Sequence, residues 1–189
     1  MPQFQLAEFS SQDVIDAREV LGDVYRRAFR IDSDERIDRF ISNSLVRHTE
    51  YADYQCIVAQ NERADIVGFV YGYRSQPGRW WHDTVASEIR AKGYGSILHD
   101  AFEFVEFAVL PESQGQGVGT ALHDRILSSV TQSAAMLSTD AGSNPAHDMY
   151  LHRGWIDLVT DFQYPGGGGK AVIMGLDLAE WRAGAPRTP

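Results

Sequence analysis

The chain has one cysteine, Cys56, so no disulfide can form within it. Lying in the apolar run YQCIVAQ, Cys56 reads as a small core residue rather than a reactive thiol. No apolar run approaches the roughly 20 residues that cross a bilayer. The opening MPQFQLAEFSSQD lacks the basic and apolar regions of a signal peptide. These absences lead us to expect a cytoplasmic protein with no membrane partner. Basic charge is also short, with 17 Lys and Arg against 26 Asp and Glu, a net charge of −9. A nucleic-acid binder would show a basic face, so none is expected as a partner. The acidic balance suits a site that attracts cations, or plain solubility. The six histidines hold no helical metal pair, since His147 and His152 are five apart, and no metal is expected.

What is present reads as one mixed α/β domain over residues 1–183, followed by a frayed tail at 184–189. Residues 3–9, ending in FQLAEF, alternate loosely and predict a strand. SSQDVIDAREVLGDVYRRAF opens on capping residues and carries Val14, Ala17, Leu21, Val24 and Ala28 at helical spacing, predicting one long helix. DERIDRFISNSLVRH predicts a second, with Ile37, Phe40, Ile41 and Leu45 on one stripe. YQCIVAQ and IVGFVYGYR predict a hairpin, TVASEIRAKG a helix closing at Gly93, and FEFVEFAVL the clearest strand. Val118, Leu122, Ile126 and Val130 recur every four residues along an amphipathic helix. AAMLSTD reads as a strand, NPAHDMYLHRG as a helix stopped by a glycine, and TDFQY and AVIMGLDL as strands flanking PGGGGK.

Between the clearest strand and its helix stand Gly115, Gly117 and Gly119. A glycine turn feeding a helix gathers backbone N–H groups at the positive end of the helix dipole, where a phosphate can sit. A tight strand-to-helix turn would need glycines too. Two phosphate motifs fail by spacing. The dinucleotide fingerprint G-x-G-x-x-G meets Thr120 or Leu122 at its sixth position, and PGGGGKAV lacks the hydroxyl a P-loop requires.

Gln114-Gly115-Gln116-Gly117-Val118-Gly119 resembles the Q/R-x-x-G-x-G/A signature of the GCN5-related N-acetyltransferase (GNAT) superfamily, and it follows a strand ending Val109-Leu110-Pro111 as it does there. NPAHDMYLHRGW resembles a second element of that family, N-x-x-A-x-x-apolar-Y-x-x-x-G-F, through Asn144, Met149, Tyr150 and Gly154. His147 replaces the usual alanine there, and Trp155 the phenylalanine. The two motifs cover roughly Glu103 to Trp155. The resemblance implies the GNAT fold, a twisted mixed sheet flanked by helices with two splayed central strands, here near 103–109 and 135–139. It implies acetyl-CoA as acyl donor, held by Gln114, Gly115, Gln116, Gly117, Val118, Gly119 and Thr120 at the pyrophosphate, and by Phe107, Val109, Asn144 and Tyr150 elsewhere. Gln116 occupies a position often basic in relatives, and Asn144 could equally cap its helix.

Direct acetyl transfer to an amine needs a base for the ammonium, donors for the oxyanion and an acid for the thiolate. By resemblance Tyr150 is the acid, and backbone amides near Val109 serve the oxyanion. Glu103 and Glu106 are the candidate bases; being three apart, they point to opposite faces of a regular strand, though a bulge would disturb that parity. Glu103 matches the position of the base in several protein acetyltransferases of the superfamily. The acceptor site implied lies at IDSDE (31–35) and PGGGGK (165–170), with Asp32, Asp34, Glu35 and Asp161 able to receive a cationic amine. Trp80 and Trp81 either wall that site or bury the helix that follows. The acceptor is expected to be a small cationic amine or a peptide or protein amine, and a homodimer is compatible with the chain. The alternatives are a CoA-binding sensor without turnover and a transferase using another acyl donor.

Overall fold

Strands β2 (Gln55–Asn61) and β3 (Ile66–Arg74) are apolar and buried almost throughout, which places them inside a sheet rather than at its edge. The computed structural model describes residues 4–142, 145–167 and 169–184. Its other strands are β1 (Phe4–Phe9), β4 (Ala101–Val109), β5 (Ala134–Asp140), β6 (Ile156–Gln163) and β7 (Lys170–Asp177). The seven hydrogen-bond in the order β1-β2-β3-β4-β5-β7-β6. The sheet is mixed, with β4 and β5 parallel and the pairs β1–β2, β2–β3, β5–β7 and β6–β7 antiparallel. Among the described residues seven α-helices accompany it, and none of them is long and apolar enough to cross a membrane. The expected tail beyond Gly184 lies outside the described residues, as do Gln3 and Asn144.

The chain divides into two compact units; the first runs to Tyr73 and takes in Phe104–Val130. Here the expected long first helix is two. Ser10 and Asp13 form a reciprocal capping box at the start of α1 (Ser11–Asp16), and Ala17 leaves helical geometry at φ −90°, ψ 6° before α2 (Arg18–Phe29) begins. The break lets α1 lie along β1 while Leu21 and Val24 of α2 are buried. Helix α3 (Asp34–Phe40), capped by Ser33, widens into a π turn over Ile41–Val46, and Ile37, Phe40, Ile41 and Leu45 are all buried. On this side Tyr25 stacks on Phe40 with ring centroids 3.8 Å apart, and Phe40 meets Phe69 of β3. Helix α5 (Val118–Ser129) packs on β1 and β2. A Cβ at Gly68 of β3 would stand 3.0 Å from the Ala108 carbonyl oxygen and 3.2 Å from Leu122 of α5, so glycine permits this approach.

The second unit holds Arg74–Glu103 and the chain from Thr131 onward. Helix α4 (Trp80–Ala91) starts four residues before the expected TVASEIRAKG and stops before Gly93, whose φ is +87°. Its Val85, Ala86 and Ile89 join Ala101, Met136, Leu158 and Ile173 in one core. The parallel register of β4 and β5 runs from Ala101↔Ala134 to Glu103↔Met136. Helix α6 (Pro145–His152) ends toward Gly154 at φ +89°, as the motif requires. Helix α7 (Leu178–Arg182), capped by Asp177, has no counterpart among the expected elements. Five residues are too few for a periodic signal.

Candidate active site

In the first unit, β4 runs into a 3-10 turn at Pro111–Ser113 and then the glycine loop. Gly115 and Gly117 take φ of +71° and +83°, in the left-handed region that glycine enters without strain. A Cβ at either would meet nothing within 4 Å, so both face open space. Gly117 is the N-cap of α5 and supplies no side-chain acceptor, so the first-turn amides at Val118, Gly119 and Thr120 have no capping side chain. The two loop glutamines fold back on the backbone, Gln114 Nε2 donating to the Val109 carbonyl at 3.0 Å and Gln116 Nε2 to that of Glu112 at 2.7 Å. Glu112, the nearest acid in sequence, is ion-paired with Arg27 of α2. A twelve-residue helix thus presents its positive end with no side-chain cap among the described residues. This fits a diphosphate, which accepts backbone N–H groups and needs close approach. A cleft of about 680 Å³ flanks the loop, lined by Glu112, Ser113, Gln116 and Val118 and also by Val20, Arg27, Gln60 and Ile66.

Side chains of β4 depart from simple alternation. Phe104 and Phe107, three apart, meet edge-on at 5.7 Å, and both lie against α5. Phe104 is 5.9 Å from the ring of His123, while Phe107 Cζ would be 3.2 Å from a Cβ at Gly119. The parity expected of a regular strand therefore does not hold across these residues. Glu106 is half-buried. Burial pushes its carboxyl up to about 8, against the pull of the Phe107 backbone N–H and the Arg36 guanidinium. Their own burial, and after it the Glu106 charge, raise the phenols of Tyr25 and Tyr71. The Leu110 N–H, next to Val109, is already given to the Val67 carbonyl at 2.9 Å.

In the second unit Glu103 is buried at 3% exposure. Its Oε2 accepts the Ser75 hydroxyl at 3.3 Å, and Ser75 Oγ lies 3.0 Å from His82 Nδ1. Burial lowers the His82 pKa, so the ring is neutral near pH 7. Tyr150 is buried on α6, edge-on to Trp155 at 5.6 Å, which is how a tryptophan fills the motif's phenylalanine position. Trp81 and Trp80 take different roles. Trp81 Nε1 donates to the Tyr164 hydroxyl at 2.8 Å and its ring packs on the core, whereas Trp80 is 66% exposed and stacks on Tyr164. Tyr164 in turn donates to Ser138 Oγ at 2.9 Å.

Most acids expected to meet a cationic acceptor already hold a partner. Asp34 pairs with Arg26 and Glu35 with Arg39, both at 2.6 Å, and Asp161 pairs with Lys170 at 2.9 Å. Cys56 is buried and its thiol is pushed up to about 12, which leaves it inert. Ser75, His82 and Arg36 were not among the expected site residues. They belong to no motif, and only the folded chain brings them to the glutamates.

Comparison with known proteins points to one family and one fold. A GCN5-like protein acetyltransferase of Mycobacterium tuberculosis is 29% identical over 128 residues, 64% of this chain and 62% of that protein. The chain thus aligns with less than two thirds of that relative's length. A GNAT-family protein of Desulfovibrio desulfuricans superposes with a TM-score of 0.64 at 14% identity, covering 93% of this chain and 99% of that one. The PaiA N-acetyltransferase of Thermoplasma acidophilum, solved with coenzyme A, gives 0.56 at 16% identity over 92% and 98%. At such identities the structures speak for the fold. The acetyltransferase (GNAT) family pattern matches residues 18–155. That span includes the glycine loop, both glutamates and Tyr150, and the chain belongs to the GNAT family of acyltransferases, which use acetyl-CoA.

Proposed function

We propose that this chain transfers the acetyl group of acetyl-CoA directly to a primary amine, with Gln114–Thr120 holding the pyrophosphate, Glu103 as base and Tyr150 as acid. The observation that carries the reading is the uncapped start of α5, where two left-handed glycines open onto space and the first-turn amides have no capping side chain. Phe107 and Val109 of β4 would lie along the pantetheine arm, and Asn144 would contact the cofactor. When bound, the thioester supplies the acetyl group and a thiolate leaving group.

The acceptor arrives as an ammonium ion and must lose a proton to become a nucleophile. Glu103 receives it directly or through one water. Its carboxylate accepts a hydroxyl hydrogen bond, which favours the ionised, proton-accepting form. The Tyr150 phenol gives its proton to the departing sulfur and recovers one from the acylated nitrogen. The amine becomes an amide, the thioester a thiol, and one proton leaves for solvent. The name of the M. tuberculosis relative favours a peptide or protein amine as acceptor, with a small cationic amine as the alternative.

A second reading assigns the base to Glu106. A carboxyl held at about 8 is tuned to the range a general base uses, but it keeps its proton at pH 7 and would act on the alkaline side.

Calorimetric titration with acetyl-CoA, followed by thiol release with a lysine peptide, a peptide with a free N-terminus and spermidine, tests the function. Glu103→Gln should lose at least about a hundredfold in kcat with acetyl-CoA affinity unchanged, and Glu106→Gln much less. Binding of acetyl-CoA without amine-dependent thiol release would favour a sensor.

A further inference from the structure

We propose that Ser75 and His82 form a buried donor chain that holds the Glu103 carboxylate in its ionised form, making both positioning residues for the base. The inference rests on the reading of Glu103 as base. All three groups are nearly inaccessible, at 5% for Ser75, 2% for His82 and 3% for Glu103. A carboxylate this deep would ordinarily retain its proton, because burial penalises the charged form.

The hydrogen-bond roles follow from counting protons. An ionised carboxylate only accepts, so the single hydroxyl proton of Ser75 goes to Glu103 Oε2 at 3.3 Å. Ser75 Oγ then has lone pairs to offer His82 Nδ1 at 3.0 Å, and that nitrogen must carry the ring proton. The chain is His82 Nδ1–H to Ser75 Oγ–H to Glu103, with every donor pointing toward the charge. Hydrogen bonds aligned in this way strengthen one another in a low-dielectric interior.

The surroundings keep the chain in this state. His82 is neutral because burial outweighs the neighbouring Asp83 charge, and Arg90 on the same helix pulls in the same direction as burial. The Ser75 backbone N–H is anchored to the Ala101 carbonyl at 2.9 Å, fixing Ser75 beside the start of β4. Burial, with a smaller push from the Glu103 charge, raises the Tyr164 phenol, so Tyr164 stays protonated and adds no second anion.

Carboxyl-labelled [13Cδ]glutamate protein, titrated by NMR and assigned with Glu103→Gln, reads the result without any acceptor. Ser75→Ala should raise the Glu103 midpoint by about one pH unit, a tenfold change in ionisation constant, and Ser75→Thr should restore it. His82→Phe, which keeps a ring but no donor, should raise it by a smaller amount. It also serves as the test variant should Ser75→Ala fail to fold. Long-range 15N–1H spectra should show His82 as the neutral Nδ1–H tautomer at pH 7. A Glu103 midpoint unchanged in the folded variants, or an Nε2–H tautomer, overturns the proposal. Thiol release by Glu103→Gln separates the two ideas. Wild-type turnover removes Glu103 as base, whereas an inactive Glu103→Gln with an unmoved Ser75→Ala midpoint sinks the donor chain alone.

Discussion

Substitution of Gly117 separates what the glycine does for the fold from what it does for a ligand. At φ +83° an alanine meets no atom within 4 Å, so the only structural cost is the left-handed backbone, about 1–2 kcal/mol. For a chain of this size that lowers Tm by roughly 2–8 °C. Asparagine tolerates the same region better and should lose less. Both side chains, however, would enter the open space at the start of α5, where the proposed function seats the pyrophosphate. If a pyrophosphate sits there, each variant loses at least one charge-assisted hydrogen bond, about 1.5–3 kcal/mol, or roughly tenfold or more in acetyl-CoA affinity. Calorimetry with acetyl-CoA and thermal unfolding without it give the two numbers independently. Gly117→Asn should therefore be close to wild type in Tm and strongly impaired in binding. A Gly117→Asn protein that bound acetyl-CoA with wild-type affinity would refute the phosphate seat, whatever its stability.

Other perturbations probe the remaining assignments. Tyr150→Phe should lower kcat about a hundredfold with little change in acetyl-CoA affinity; full turnover across pH 7–9 would remove Tyr150 as acid. Glu106 has its folded pKa raised from 4.5 to about 8, so its stabilising contribution is complete below about pH 4.5 and is lost as pH rises to about 8. Because the side chain keeps some contact with solvent, screening discounts the effect to about 2 kcal/mol. Glu106→Gln should therefore flatten the decline in denaturation midpoint between pH 5 and 9, and parallel curves would contradict the assignment. In the second unit a Cβ at Gly175 would stand 2.6 Å from Ile97 Cδ1 and 2.9 Å from Leu158 Cδ1. Gly175→Ala should cost about 1–3 kcal/mol in urea unfolding, and a neutral result would mean both side chains can move aside.

Local patterns carried much of the reading. The glycine loop, the capped start of α1 and the glycine stop after α6 depend on backbone angles and on side chains within a few positions, so the order of residues declares them. The hairpin and the buried strands were legible for the same reason, since apolar runs bounded by polar turns have few other uses. Tertiary packing decided the rest. The break at Ala17 and the π turn after Phe40 set which faces of helices reach the sheet, and periodicity alone gives no sign of them. Glu103 and Glu106 look alike in one strand. Yet one is drawn into a hydrogen-bonded chain with groups 28 and 21 positions away, and the other is desolvated until its carboxyl rises to about 8. Spacing cannot distinguish them, because burial and donor geometry are properties of the assembled core, and those properties set which carboxylate can take a proton.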